Sequence, residues 1–125
     1  MTAAEFRELA LNLPGAIEGA HMGHADFRAH GRIFATLGYP DNAWGMVKLP
    51  PPQQQDLVLT HPHIFVPAKG AWGLQGSTTV RLEKANPDLI RTALDQAWQL
   101  SAATPAKVAP TARKKSASVG SRRSA

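Results

Sequence analysis

Apolar and polar residues alternate along this chain with a period that changes from segment to segment, and each period predicts an element. Helical spacing of apolar residues predicts three helices, each entered through a capping residue or a proline. Alternation at every second residue, or a short apolar run, predicts strands. In chain order we expect a helix over 2–13, one extended segment over 16–30, strands over 32–39 and 43–49, a helix over 50–60, strands over 64–66 and 78–82, and a helix over 87–100.

The predicted element order is α-β-β-β-α-β-β-α. Most connections between consecutive strands are short, which favours antiparallel pairing, and the helices are then expected to cover one face of the sheet. The sequence therefore predicts an α+β fold, a two-layer sandwich with a mostly antiparallel five-stranded sheet and helices on one face. A chain of 125 residues has room for one domain of this kind.

Charge divides the chain into a body and a tail. Residues 1–100 carry eight Lys/Arg and nine Asp/Glu, whereas residues 101–125 carry six Lys/Arg and no acid. The six cations of the tail are Lys107, Arg113, Lys114, Lys115, Arg122 and Arg123. Ser, Ala, Pro, Lys and Arg cannot bury enough apolar surface to offset the entropy of ordering. We therefore expect a folded domain over 1–100 and a disordered basic tail over 101–125.

The glycine-rich loop KGAWGLQG, residues 69–76, joins the last two predicted strands and contains the best binding candidate of the body. Its three glycines, spaced three residues apart, indicate positive φ angles or a close backbone approach. Trp72 between two of them is either an exposed stacking platform or a plug in the core. Burial is the favoured interpretation, because tryptophan is highly buried on average. An exposed Trp72 beside Lys48, Lys69 and Arg81 would instead indicate nucleic-acid binding.

Nothing in the sequence indicates catalysis. There is no cysteine, and hence no disulfide, thiol nucleophile or thiolate metal site. His21 and His24 would point to opposite faces of a strand unless Gly23 turns the chain, and nothing shows that Glu18 and Asp26 converge. We expect no enzyme activity, no metal and no cofactor. The chain lacks a signal-peptide pattern and a long apolar run, so we expect a cytoplasmic protein that does not enter a membrane.

Two long segments carry a family resemblance, LPGAIEGAHMGHADFRAHGRIFATL and VKLPPPQQQDLVLTHPHIFVPAKGAWGLQGSTTVRL. Over residues 6–100 the chain resembles the MmcQ/YjbR family, also called the DUF419 family, most specifically in LPG, GRIFATL and KGAWGLQG. The resemblance implies a fold similar to type III secretion chaperones, α-β(3)-α-β(2)-α. Members are often named DNA-binding, from a likeness to a double-wing nucleic-acid domain. Many carry a second tryptophan just after the loop, where this chain has Ser77.

Three classes of function remain open at this point. We expect a non-enzymatic protein that binds DNA or RNA non-specifically, with the basic tail supplying affinity and Lys48, Lys69, Trp72 and Arg81 as contacts of the body. A protein-interaction or chaperone-like module is the first alternative, and a broad exposed apolar strip would favour it. A small-ligand binder beside the Trp72 loop is the second, and a closed concave pocket would favour it.

Overall fold

A computed structural model describes residues 1–103 of the chain. It contains four helices and six strands, and a short 3-10 turn, Leu82–Lys84. The helices are α1 (Ala3–Leu11), α2 (Pro51–Thr60), α3 (Gly70–Leu74) and α4 (Pro87–Ala103). The strands are β1 (Ile17–His21), β2 (His24–Ala29), β3 (Arg32–Leu37), β4 (Trp44–Lys48), β5 (Phe65–Pro67) and β6 (Ser77–Arg81).

The strands form a single antiparallel sheet in the order β1-β2-β3-β4-β6-β5. The predicted α+β class is confirmed, but the sheet has six strands rather than five. The segment 16–30 is a hairpin, because Met22 and Gly23 adopt φ angles of 51° and 80° and connect β1 to β2 in two residues. His30 and Gly31 turn β2 into β3 in the same way, with φ angles of 57° and 73°.

One face of the sheet is packed against α1 and α4, which also contact each other. Phe6 of α1 lies against Phe27 of β2, with ring centroids 6.2 Å apart. Gly45 leaves room for the Phe6 ring, since a Cβ at this position would lie 3.0 Å from it. Strand register places Ala35, Val47, Val80 and Phe65 on this same face, and all four are buried. These apolar side chains form the hydrophobic core that holds the helices to the sheet.

The opposite face carries a row that mixes polar and apolar residues. Register aligns one residue from each strand across the sheet, namely Gly19, Asp26, Thr36, Met46, Thr79 and Val66. Asp26, Thr36 and Thr79 are buried although they are polar. This face, called the groove face below, therefore differs in chemistry from the helix-packed face.

Hydrogen bonds define the start of α1 and attach α4 to the segment that follows α1. The Thr2–Glu5 capping box is present, as predicted, with bonds of 2.7 and 3.1 Å. Near the other end, Trp98 Nε1 donates to the Pro14 carbonyl at 2.8 Å. The predicted domain boundary at residue 100 lies inside α4, in which Ser101 is buried. The six predicted tail contacts, Lys107, Arg113, Lys114, Lys115, Arg122 and Arg123, lie outside the described residues.

Candidate functional site

The groove face forms the floor of a groove of about 770 Å³. Strands β3, β4 and β6 contribute Thr36, Met46 and Ser77, and α3 contributes Trp72 and Gln75. The remaining lining residues come from the two hairpins at the β1 side, the end of β4, the start of α2 and the end of α4. They are His21, Arg28, Gly31, Arg32, Ile33, Lys48, Pro51, Ala97, Leu100 and Ser101.

The groove is locally cationic although the body as a whole is not. Among the described residues that line it, Arg28, Arg32 and Lys48 are basic and none is Asp or Glu. The charge of Arg28 is neutralised by the buried Asp26, which is not itself part of the lining. The near-neutral net charge of residues 1–100 therefore does not mean that charge is evenly distributed over the domain.

Trp72 lies on α3 with 66% of its surface exposed, so the favoured prediction that it plugs the core is wrong. The loop contains one helical turn, and its buried position is Gly73. A Cβ on Gly73 would lie only 1.8 Å from the Ala68 carbonyl oxygen. Because the helix backbone itself packs against the chain here, the neighbouring Trp72 side chain is directed outward.

The other two loop glycines also have the roles that their spacing predicts. Gly70 begins α3 with a φ of 70°, and Gly76 follows it with a φ of 111°. A Cβ on Gly76 would lie 1.8 Å from the Leu49 carbonyl oxygen, and Gly76 in turn accepts the Leu49 amide at 3.0 Å. The predicted need for positive φ and close approach is confirmed, and it fixes α3 at the edge of the groove.

The basic residues predicted to surround Trp72 do not all gather there. Lys48 pairs with Ser77 across β4 and β6, and both line the groove together with Trp72. Lys69 precedes α3 and is exposed, but it is not part of the lining. Arg81 lies at the far end of β6, where its guanidinium carbon is 4.5 Å from the ring centroid of Trp44. The structure thus brings together Trp72 and Lys48 and leaves Lys69 and Arg81 outside the groove.

A polar cluster that the sequence analysis did not assign lies in the groove floor. The carboxylate of Asp26 is fully buried and accepts hydrogen bonds from Arg28 Nε at 2.7 Å and Arg28 Nη2 at 3.0 Å. The same carboxylate is 2.7 Å from His21 Nδ1. The segment HADFRA alternates polar and apolar residues, so its pattern alone would have placed Asp26 and Arg28 on one face. His21 could be added only once the β1–β2 hairpin was known.

Hydrogen bonding between Asp26 and Arg28 favours the charged form of both side chains. The Arg28 guanidinium lowers the pKa of Asp26 below its ordinary value, and this effect outweighs burial, which raises the pKa. Asp26 in turn raises the pKa of Arg28. An ionised carboxylate can only accept hydrogen bonds, so the His21 Nδ1 atom must be the donor to it. In the neutral tautomer of His21 that donates from Nδ1, the lone pair is on Nε2.

Residues 1–103 contain neither a cluster of metal-ligating side chains nor a membrane-spanning helix. No group of three or more His, Asp or Glu side chains in this part of the chain is arranged to hold a metal ion. Within the same residues, no helix combines the length and the apolar character that a membrane span requires.

The fold and the groove define a small α+β domain whose antiparallel sheet carries helices on one face and a polar groove on the other. A family model described as YjbR matches residues 11–100, and the chain belongs to this family. The structure is similar to the crystal structure of Deinococcus radiodurans protein DR2400, a DUF419 domain, with a TM-score of 0.69 and 16% identity. That match covers 90% of this chain and 95% of the other. No curated protein matches the chain.

Proposed function

We propose that this protein is a non-enzymatic binder of single-stranded nucleic acid, which lies along the groove with its bases against Trp72. The observation that carries the proposal is the exposed Trp72, which lines the same groove as Lys48, with no acidic lining residue among those described. Proteins that bind single strands combine aromatic side chains, on which bases stack, with a cationic channel that follows the phosphates.

The geometry of α3 supports a stacking role for Trp72. A tryptophan that is two-thirds exposed contributes little to a hydrophobic core, and its helix is held by backbone contacts at Gly73 and Gly76. A platform held in this way loses little conformational entropy when a base stacks on it. Arg32 and Lys48 supply positive charge within the same groove.

The basic tail would add affinity that does not depend on sequence. Its six cations can each displace a counterion condensed on a nucleic acid, which gives a slope of log K against log salt of about −4 on a single strand and about −5 on a duplex. The groove residues would add a second contribution, from stacking, that depends much less on salt. Tail and groove are therefore separable by experiment.

A fluorescence-anisotropy titration of a labelled single strand at several salt concentrations tests the proposal. Trp72→Ala in the full chain should weaken binding by about 1–3 kcal/mol, or about 5- to 150-fold, with little change in melting temperature. Replacing the six tail Lys/Arg by glutamine should instead flatten the salt slope. Leu74→Ala is the matched control, since Leu74 is exposed on the same helix but does not line the groove. Equal affinities for Trp72→Ala and Leu74→Ala would refute a role for Trp72.

A further inference from the structure

The polar cluster of His21, Asp26 and Arg28 buries a carboxylate, and burying a charge costs free energy that packing alone does not explain. Asp26 is an ionised carboxylate with no solvent exposure, and replacing a buried ion pair by apolar residues is often neutral or stabilising. The carboxylate instead positions two side chains, the Arg28 guanidinium and the His21 imidazole, through hydrogen bonds of 2.7–3.0 Å. Both of these side chains line the groove.

The cluster presents two different groups to a ligand. His21 uses Nδ1 on Asp26, so the opposite ring atom, Nε2, offers a hydrogen-bond acceptor when the ring is neutral. Arg28 uses Nε and Nη2 on Asp26, which leaves Nη1 without a hydrogen-bond partner among residues 1–103. The two side chains are adjacent, because His21 Nδ1 and Arg28 Nη2 bond the same oxygen, Asp26 Oδ2.

The matching ligand carries a hydroxyl donor next to an anionic oxygen. Each nucleotide of an RNA strand has this pair, a ribose 2′-hydroxyl beside the 3′-phosphate, and DNA lacks the hydroxyl. We propose that His21 accepts a hydrogen bond from a ribose 2′-hydroxyl while Arg28 contacts the neighbouring phosphate, so that the groove prefers RNA to DNA. This inference rests on the proposed function, because it assigns the sugar of a strand whose base stacks on Trp72.

Gly19 supports a positioning role for the cluster. It pairs with Asp26 across β1 and β2, and its φ is not among the positive ones, so its backbone would suit any residue. A Cβ at this position, however, would lie 2.9 Å from Asp26 Oδ1 and 3.1 Å from Arg28 Nε. A side chain at this position would therefore have to displace the Asp26–Arg28 pair from its present position.

The experiment compares strands that differ only at the 2′ position. Anisotropy titrations of the full chain at about pH 8, where an ordinary histidine is neutral, would use 12-nucleotide uridine RNA, its 2′-deoxy analogue and its 2′-fluoro analogue. The fluoro strand keeps a ribose-like sugar pucker but cannot donate a hydrogen bond. We expect RNA to bind about tenfold more tightly than either analogue, the effect of one hydrogen bond.

Variants assign the preference to the cluster. His21→Ala should bind all three strands equally, whereas the matched control His63→Ala, at an exposed histidine outside the groove lining, should keep the preference. Equal binding of the three strands by the unmodified protein would overturn this inference and leave the proposed function intact. A preference that survives in His21→Ala would also overturn it.

Two mononucleotides separate this inference from the proposed function. If no strand binds at all, the proposed function fails, and titrations with uridine 3′-monophosphate and its 2′-deoxy analogue then decide on the cluster alone. Tighter binding of the ribonucleotide that disappears in His21→Ala would support recognition of a hydroxyl beside a phosphate in a free nucleotide. Equal binding, or no binding, of the two mononucleotides would overturn it.

Discussion

Replacing Gly73 by alanine sets helix propensity against packing, and the two predict opposite signs. Gly73 lies inside α3 and its φ is not among the positive ones, so propensity alone predicts that alanine stabilises the helix by about 1 kcal/mol. The structure predicts a loss. An alanine Cβ would lie 1.8 Å from the Ala68 carbonyl oxygen and 2.9 Å from its carbon, well inside the contact distance of real atoms.

The cost is large because neither side of this contact can move freely. The Ala68 amide donates to the Ser77 carbonyl at 2.9 Å, and the Gly73 carbonyl accepts the buried Gln54 Nε2 at 2.9 Å. Relief of the clash must break one of these bonds or shift α3. We expect a loss of about 3 kcal/mol or more, the upper range for an overpacked site. In a domain of this size the melting temperature should fall by about 12–24 °C.

Thermal unfolding of the full chain, followed by circular dichroism, measures this loss. Gly70→Ala is the control, since its Cβ would meet nothing within 4 Å but its φ of 70° favours glycine. It should cost only about 1–2 kcal/mol, the strain of a left-handed conformation. A Gly73→Ala protein as stable as the unmodified chain, or less affected than Gly70→Ala, would refute the packing argument.

Two more predictions concern hydrogen bonds that cross the domain. Trp98→Phe removes the donor to the Pro14 carbonyl and should destabilise the fold by about 1 kcal/mol in a urea titration, while an unchanged midpoint would mean that water replaces this bond. Because the pKa of Asp26 is lowered in the fold, its stabilising contribution is complete above its unfolded pKa of about 4 and is lost as pH falls through the lower folded value. Asp26→Asn should therefore flatten the decline of stability in acid, and an identical decline in the two proteins would contradict this assignment.

The sequence was sufficient where structure depends on neighbouring residues. The capping box at Thr2 forms between residues three apart, and the loop glycines adopt the backbone that their spacing predicts. The β1–β2 hairpin was missed because its first turn position is Met22, which has a φ of 51°. Left-handed conformations favour glycine, asparagine and aspartate, so a methionine there gives no turn signal, and only tertiary structure selects it.

The burial of Trp72 was predicted wrongly because the average burial of tryptophan says nothing about a particular site. Tryptophan is mostly buried in proteins, but burial at a particular site depends on which face of its element meets the core. Here α3 meets the core through Gly73, whose missing side chain allows the helix to approach the Ala68 backbone. The adjacent position is then exposed. The groove was likewise hidden by the net charge, since a near-neutral body still has a groove lined by Lys and Arg without an acid among its described lining residues.

The backbone contacts that stabilise α3 also position the binding residue Trp72. Its position depends on backbone contacts of Gly73 with Ala68 and of Gly76 with Leu49, and these contacts leave no room for side chains. Trp72 is thus held in the groove lining, to which Lys48 also belongs, by the same contacts that stabilise the loop. A rigid platform lowers the entropic cost of binding, whereas a flexible loop would have to be ordered by its ligand. At the other end of the groove, the buried Asp26 fixes His21 and Arg28 for the same physical reason. We therefore interpret the tight glycine contacts and the buried carboxylate as two means to one end, a groove whose binding groups are in place before the ligand arrives.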